Sequence, residues 1–191
     1  CHLLNSIDAL CSLPPSLEHG PWIIKPRRGS QGRDVMLARD EQDLYALCQA
    51  VLERNPEAII QPFIAMQRPR DCRVLVIGGK ARVAYWRIAA PGEVRSNIHA
   101  GGEASLASLG PSEARLAEQA AAALDLSSAG VDLIPQQARP WCPNQPTSAS
   151  ERYAVLEVNG SPGLESIERA SSLDLAGLMI EHTLSAFRAA H

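Results

Sequence analysis

The chain reads as an α+β protein of two lobes, each an antiparallel sheet with helices packed on it. Three observations carry that reading. Short apolar segments of strand type recur at 22–25, 34–38, 58–61, 72–77, 80–88, 131–134 and 154–158. Two of them flank Gly78-Gly79, a tight-hairpin signal that makes its strands antiparallel. Helical segments fall between the strands without regular β-α-β alternation, which argues against a parallel sheet.

The elements follow in order. Residues 1–19 form a short amphipathic segment ending at Pro14-Pro15; the chain lacks an initiating Met and begins inside what reads as a helix, as a fragment or excised domain would. The strand 22–25 leads into a loop rich in Gly, Arg and Ser at 26–32. After the strand 34–38, Asp40 is placed to cap a helix running to about Arg54. Pro62 interrupts the strand that starts at Ala58. Residues 91–110 read as loop centred on Gly101-Gly102. An Ala-rich helix runs over 111–126, with Pro111 at its start, where proline is tolerated. Residues 135–150, rich in Pro, Gln and Ser, read as a surface insertion that composition favours as mobile. A helix over 173–190 closes the chain. The expected lobes are 1–62 and 63–191, with no internal repeat.

The bulk numbers exclude several functions. With 191 residues the chain is long enough for a hydrophobic core. A net charge of −3 and 4% aromatic residues offer neither a basic field nor stacking platforms, so no nucleic-acid partner is expected. No apolar run approaches membrane-spanning length, so no membrane partner is expected. The five cysteines (1, 11, 48, 72 and 142) are odd in number and form no C-x-x-C pair. They read as reduced thiols of a cytoplasmic protein rather than a zinc site or disulfide framework.

Four constellations carry chemistry. The first is the end of the strand Tyr153-Ala-Val-Leu-Glu157-Val-Asn159, followed by a Gly/Ser/Pro turn. Side chains two apart on a strand share a face, so Glu157 and Asn159 project together as hard oxygen donors. Asp132 ends another apolar run, and the three oxygens suit Mg²⁺ beside nucleotide phosphates. The second is Lys25 with the loop Arg27-Arg28-Gly-Ser-Gln-Gly32, a phosphate-type loop without the Walker A pattern. The third is Gln61-Pro62-Phe63, a link between the candidate lobes that can offer backbone groups to an adenine edge. The fourth is Arg87 with the Gly-rich segment holding Arg95, Ser96, Asn97 and His99, where arginines can stabilise a transferring phosphoryl group. Taken singly, each also reads as a solvated loop, a turn or a surface ion pair.

Their order is more specific. The run Asp71-Cys-Arg73-Val-Leu-Val-Ile-Gly-Gly comes first. Then follow Arg95-Ser-Asn-Ile-His99-Ala-Gly-Gly, Ala-Gly-Val-Asp132-Leu and Glu157-Val-Asn159-Gly-Ser-Pro-Gly-Leu-Glu165-Ser-Ile-Glu168. Over about residues 20–185 these resemble the ATP-grasp superfamily, in its branch of RimK-type ligases that add glutamate to a ribosomal protein's C-terminus. The resemblance implies that two α+β lobes enclose the nucleotide. It implies that Lys25 touches ATP phosphates, that backbone groups of Pro62 and Phe63 bind adenine and that Asp71 takes the ribose hydroxyls. Arg95, Ser96 and Asn97 would line the ATP site, and Arg87 would face the phosphate and acyl-phosphate region, so that Arg87 and Arg95 serve as the catalytic arginines. Asp132, Glu157 and Asn159 would ligate the metal, Mg²⁺ or Mn²⁺, as two ions.

The activity so implied is ATP-dependent amide or peptide bond formation through an acyl phosphate, with a small amino acid as donor and a carboxylate-bearing protein or small molecule as acceptor. Self-association is implied too, although no interface is legible. Pro62 stands where the branch usually has an acidic residue, and Ala100 where it usually has arginine, which leaves the acceptor unspecified. That family's N-terminal domain and first ATP-binding lysine would lie upstream of Cys1, which leaves open whether the isolated chain turns over. Two alternatives stand beside the RimK-type reading. One is a LysX-like ligase acting on a carrier protein, and the other is a non-catalytic nucleotide-binding module.

Overall fold

The computed structural model describes residues 1–28, 34–66, 69–90, 103–136 and 153–189, in two compact units, Cys1–Ala65 and Met66–His191. Both are α+β with antiparallel sheets, as the sequence predicts.

In the first unit, strands β1 (His2–Leu4), β2 (Trp22–Pro26), β3 (Met36–Ala38) and β4 (Ala58–Pro62) form a sheet in the order β1-β4-β2-β3. Helix α1 (Glu41–Leu52) packs on it with Leu44, Cys48 and Val51, spaced four and three apart as one helix face requires. The Asp40 carboxylate accepts from the Asp43 N–H at 2.8 Å and caps the helix. Trp22, Ile24 and Ile60 complete the core, and the Trp22 indole N–H donates to the Leu17 carbonyl at 2.9 Å. The opening segment differs from expectation. It is the strand β1 followed by short 3-10 turns at Ile7–Ser12 and Pro15–Leu17, because its apolar residues close the edge of this sheet instead of lining one face of a helix.

Burial pushes the Cys48 thiol up to about 11. The fold therefore favours the neutral thiol. That contribution to stability is complete below pH 9.0 and is lost as pH rises through about 11. Alkylation with iodoacetamide at neutral pH, read by peptide mass spectrometry, is expected to label exposed Cys1 and Cys11 while Cys48 and Cys72 stay protected until the chain unfolds. Labelling of Cys48 at the rate of Cys11 would contradict this packing.

In the second unit, β5 (Arg70–Ile77), β6 (Lys80–Ile88), β7 (Glu103–Leu106), β8 (Ser128–Pro135) and β9 (Tyr153–Asn159) form a sheet in the order β7-β6-β5-β8-β9. Gly78 and Gly79 turn the β5–β6 hairpin at φ of 65° and 69°, the left-handed region that glycine adopts without strain. Helix α2 (Pro111–Ala122) covers one face of the sheet through Ala117 and Ala121. Helices α3 (Glu165–Ser171) and α4 (Leu175–Ala189) cover part of the other, where Ile167 and Leu175 meet Leu75, Ile77 and Tyr85. Strand β7 lies in a segment expected to be loop, since four residues of low β propensity carry little signal of their own. Helix α3 is likewise short enough to escape a periodicity reading. The expected insertion falls on residues of which 137–150 lie outside the described ones.

Candidate active site

Strand β5 divides its side chains by face. Cys72, Val74 and Val76 enter the core under α2. Leu75 and Ile77 enter the core with α3 and α4, and Asp71 and Arg73 lie on that same face farther along the strand. The antiparallel register then assembles a polar surface across the sheet. Arg87 on β6 opposes Asp71, Asp132 on β8 opposes Arg73, and Glu157 on β9 opposes Asp132. Directly opposed residues point to one side of a sheet. Five ionisable side chains from four strands therefore share one face.

Four of them form a tight network. Arg73 donates from Nε to Asp132 Oδ1 at 2.6 Å and from Nη2 to Asp132 Oδ2 at 2.7 Å, the two-pronged geometry that makes guanidinium–carboxylate pairs strong. Arg87 donates from Nη2 to the same Oδ2 at 2.5 Å and from Nε to Asp71 Oδ1 at 2.6 Å. Asp132 is 1% exposed, so these partners replace the water contacts its carboxylate gives up. Burial by itself would lower the pKa of Arg73, but the hydrogen bond and charge of Asp132 outweigh it and the guanidinium is held further up. Arg87 is raised in the same way, burial opposing and Asp71 and Asp132 prevailing. Both therefore stay cationic. Burial also raises the phenol of Tyr85, which opposes Arg73 in the register, while the two arginines pull it down.

Asp132 is one of the proposed metal donors, and the other two, Glu157 and Asn159, lie beside this network on β9. Glu157 is exposed and faces Asp132 across the β8–β9 pair, and Asn159 opposes Gly130. A β-bulge aims them. The register passes from Asp132↔Glu157 to Leu133↔Val155, which leaves Leu156 as the extra residue. Tyr153 and Val158, five apart, consequently both pack against the α2-side core, leaving Glu157 and Asn159 for the opposite face. Gly130 admits the following turn: a Cβ there would stand 2.9 Å from Pro162 Cβ. Among the described residues no three His, Cys, Asp or Glu side chains cluster as a metal cage. The donor set is two opposed carboxylates and one amide, which suits Mg²⁺, an ion that takes few protein carboxylates and completes its shell with water and phosphate. Asn159 Oδ1 already accepts from the Ser161 N–H at 2.9 Å and retains a second lone pair.

In the first unit, Lys25 lies on β2 opposite Ile59, half-buried and on the face away from the α1 core. Arg27, in the loop after it, is committed to Glu57 at 2.7 Å, and residues 29–33 lie outside the described ones. Pro62 ends β4, opposite Trp22. The Phe63 N–H donates to the Pro21 carbonyl at 2.9 Å. That bond extends the β2–β4 pairing one step beyond Trp22↔Pro62.

A family model, described as the RimK-like ATP-grasp domain, matches residues 3–183. The chain belongs to the RimK-like ATP-grasp family. It is 42% identical over 161 residues to a protein named probable alpha-L-glutamate ligase from Parasynechococcus marenigrum, covering 84% of this chain and 32% of that one. It is 38% identical over 178 residues to the probable alpha-L-glutamate ligase 2 of Hahella chejuensis, covering 93% of this chain and 54% of that one. This RimK-like chain thus spans between about a third and about half of the length of those relatives. Among solved structures, D-alanine–D-alanine ligase from Bacillus anthracis complexed with ATP superposes at a TM-score of 0.68 and 20% identity, covering 100% of this chain and 61% of that one. The ATP-grasp ligase PsnB, complexed with a phosphomimetic variant of its minimal precursor, Mg and ADP, gives 0.60 at 18% identity, covering 96% and 52%. At these identities the likeness establishes the ATP-grasp fold.

Asp71 and Arg87, the residues expected at the ribose and at the phosphate, are joined by one bond, from Arg87 Nε to Asp71 Oδ1, which leaves acceptor sites on Asp71 and donors on Arg87. Arg73 is the site residue that motif reading passed over. Its signal was the alternation Asp71-x-Arg73-x-Leu75-x-Ile77, a strand face that turns from charged to apolar along its length. Arg95, Ser96 and Asn97 lie outside the described residues.

Proposed function

We propose that this chain is the catalytic core of an ATP-dependent carboxylate–amine ligase of the RimK type, one that adds glutamate or a similar amino acid. A carboxylate oxygen of the acceptor attacks the γ-phosphorus of ATP, the bond to the bridging oxygen breaks and ADP leaves. The donor's amine then attacks the acyl carbon, phosphate departs with the bonding pair and the amine proton passes to solvent. Carboxylate is a poor electrophile, and phosphorylation supplies the leaving group it lacks.

The observation that supports this reading is the shared face of Asp132, Glu157 and the two arginines, in a chain matching the RimK-like model over nearly its full length. Asp132, Glu157 and Asn159 are the oxygens that would hold Mg²⁺ or Mn²⁺, which when bound offsets charge on the phosphate oxygens. Arg87, with Arg95, offsets charge on the transferring phosphoryl group, and Lys25 contacts the phosphates. Positioning and charge carry the reaction, and no general base is required of the named residues. Among the described residues no helix is long and apolar enough to cross a membrane.

The test is ADP release with Mg·ATP against a panel of amino acids and peptide carboxylates, run beside calorimetry of nucleotide binding. Release that depends on glutamate and a carboxylate acceptor is expected. Binding of Mg·ATP without turnover on any pair would favour a nucleotide-binding module instead.

A further inference from the structure

The carboxylate proposed to ligate metal already has a cation. Asp132 Oδ2 accepts from both Arg73 and Arg87, and Oδ1 accepts from Arg73. Each carboxylate oxygen offers two lone-pair directions, so Oδ2 is saturated and Oδ1 is half used. The side chains of Arg73 and Arg87 are only 14% and 16% exposed, so water screens these contacts weakly. Asp71, Asp132, Arg73 and Arg87 together form a neutral group, and Glu157, opposite Asp132 on this face, adds a negative charge beside it. A divalent ion approaching alone gains little attraction from a neutral group and meets two guanidiniums at close range.

We propose that Arg73 is a positioning residue that serves as the resident cation of Asp132. It holds that carboxylate while no metal is bound, and yields it when a metal ion arrives with a nucleotide polyphosphate, whose oxygens take over the guanidinium. This rests on the metal reading given above and adds a consequence to it. Metal and nucleotide bind cooperatively, because each removes a cost that the other would meet alone. The Arg73 fork also keeps Asp132 in its binding rotamer between turnovers, since both of its oxygens are fixed.

The probe is Mn²⁺, followed by electron paramagnetic resonance of the free ion, with and without ADP. The wild-type chain is expected to bind Mn²⁺ weakly alone and about tenfold or more tightly with ADP. In Arg73→Met, Mn²⁺ alone is expected to bind about tenfold more tightly than in wild type, and most of the ADP-induced gain disappears. An Arg73→Met chain with wild-type affinity for Mn²⁺ alone, or with the full ADP-induced gain, overturns the role. A measurement on the unaltered protein covers the case in which that variant does not fold. The Nε–H resonance of Arg73 in ¹⁵N-arginine-labelled protein is expected to stay in place with Mg²⁺ alone or ADP alone and to move with both. A resonance that stays in place with both overturns the proposal. Failure of the wild type to bind Mn²⁺ even with ADP removes the metal reading itself, and is distinct from a wild type that binds while the variant shows no difference.

Discussion

Replacing Asp132 by Ala is expected to destabilise the protein by about 3–5 kcal/mol, because it leaves the largely buried guanidinium of Arg73 without its counter-charge. Arg73 loses both of the acceptors its fork uses, and Arg87 keeps Asp71. Transfer of an unpaired cation out of water is far costlier than the net gain a salt bridge supplies, so the loss exceeds what deleting the same carboxylate at the surface would give. Urea denaturation followed by circular dichroism measures it. Asp132→Leu combined with Arg73→Met is expected to recover a large part of the loss, since removing both partners abolishes the stranded charge. A shift below about 1 kcal/mol for Asp132→Ala would mean that the network is solvated and contributes like a surface pair.

That expectation separates two kinds of residue that look alike in the sequence. Asp132 and Glu157 both lie within apolar strands, β8 and β9, and both are proposed as metal ligands. Asp132 sits on the interior strand β8 and is buried among arginines, whereas Glu157 sits on the edge strand β9 and is exposed. Strand alternation shows that Glu157 and Asn159 share a face but not how deep any of these residues lies, because depth follows from strand order, and strand order is set by contacts distant in sequence. The Gly78-Gly79 hairpin was legible because local backbone conformation alone demands it. The capped helix after Asp40 was legible for the same reason. The opening strand β1 was not, since its pairing partner β4 lies more than fifty residues away. Arg73 is not legible from its motif, because its importance lies in a partner on another strand, Asp132. The bulge at Leu156 was equally hidden, for it shows only when Val155 and Glu157 are matched against β8.

Glu157→Ala is the second large effect, and it is of another kind. Glu157 is exposed, so its loss should leave the denaturation midpoint unchanged and act on ligand binding alone. Titrating ATP into the wild type and the variant by calorimetry, once with Mg²⁺ and once with EDTA, tests directly whether Asp132, Glu157 and Asn159 hold the metal beside the nucleotide. The Mg²⁺-dependent part of the affinity should vanish in Glu157→Ala while the EDTA value matches wild type. Equal Mg·ATP affinity in the two proteins would contradict the account.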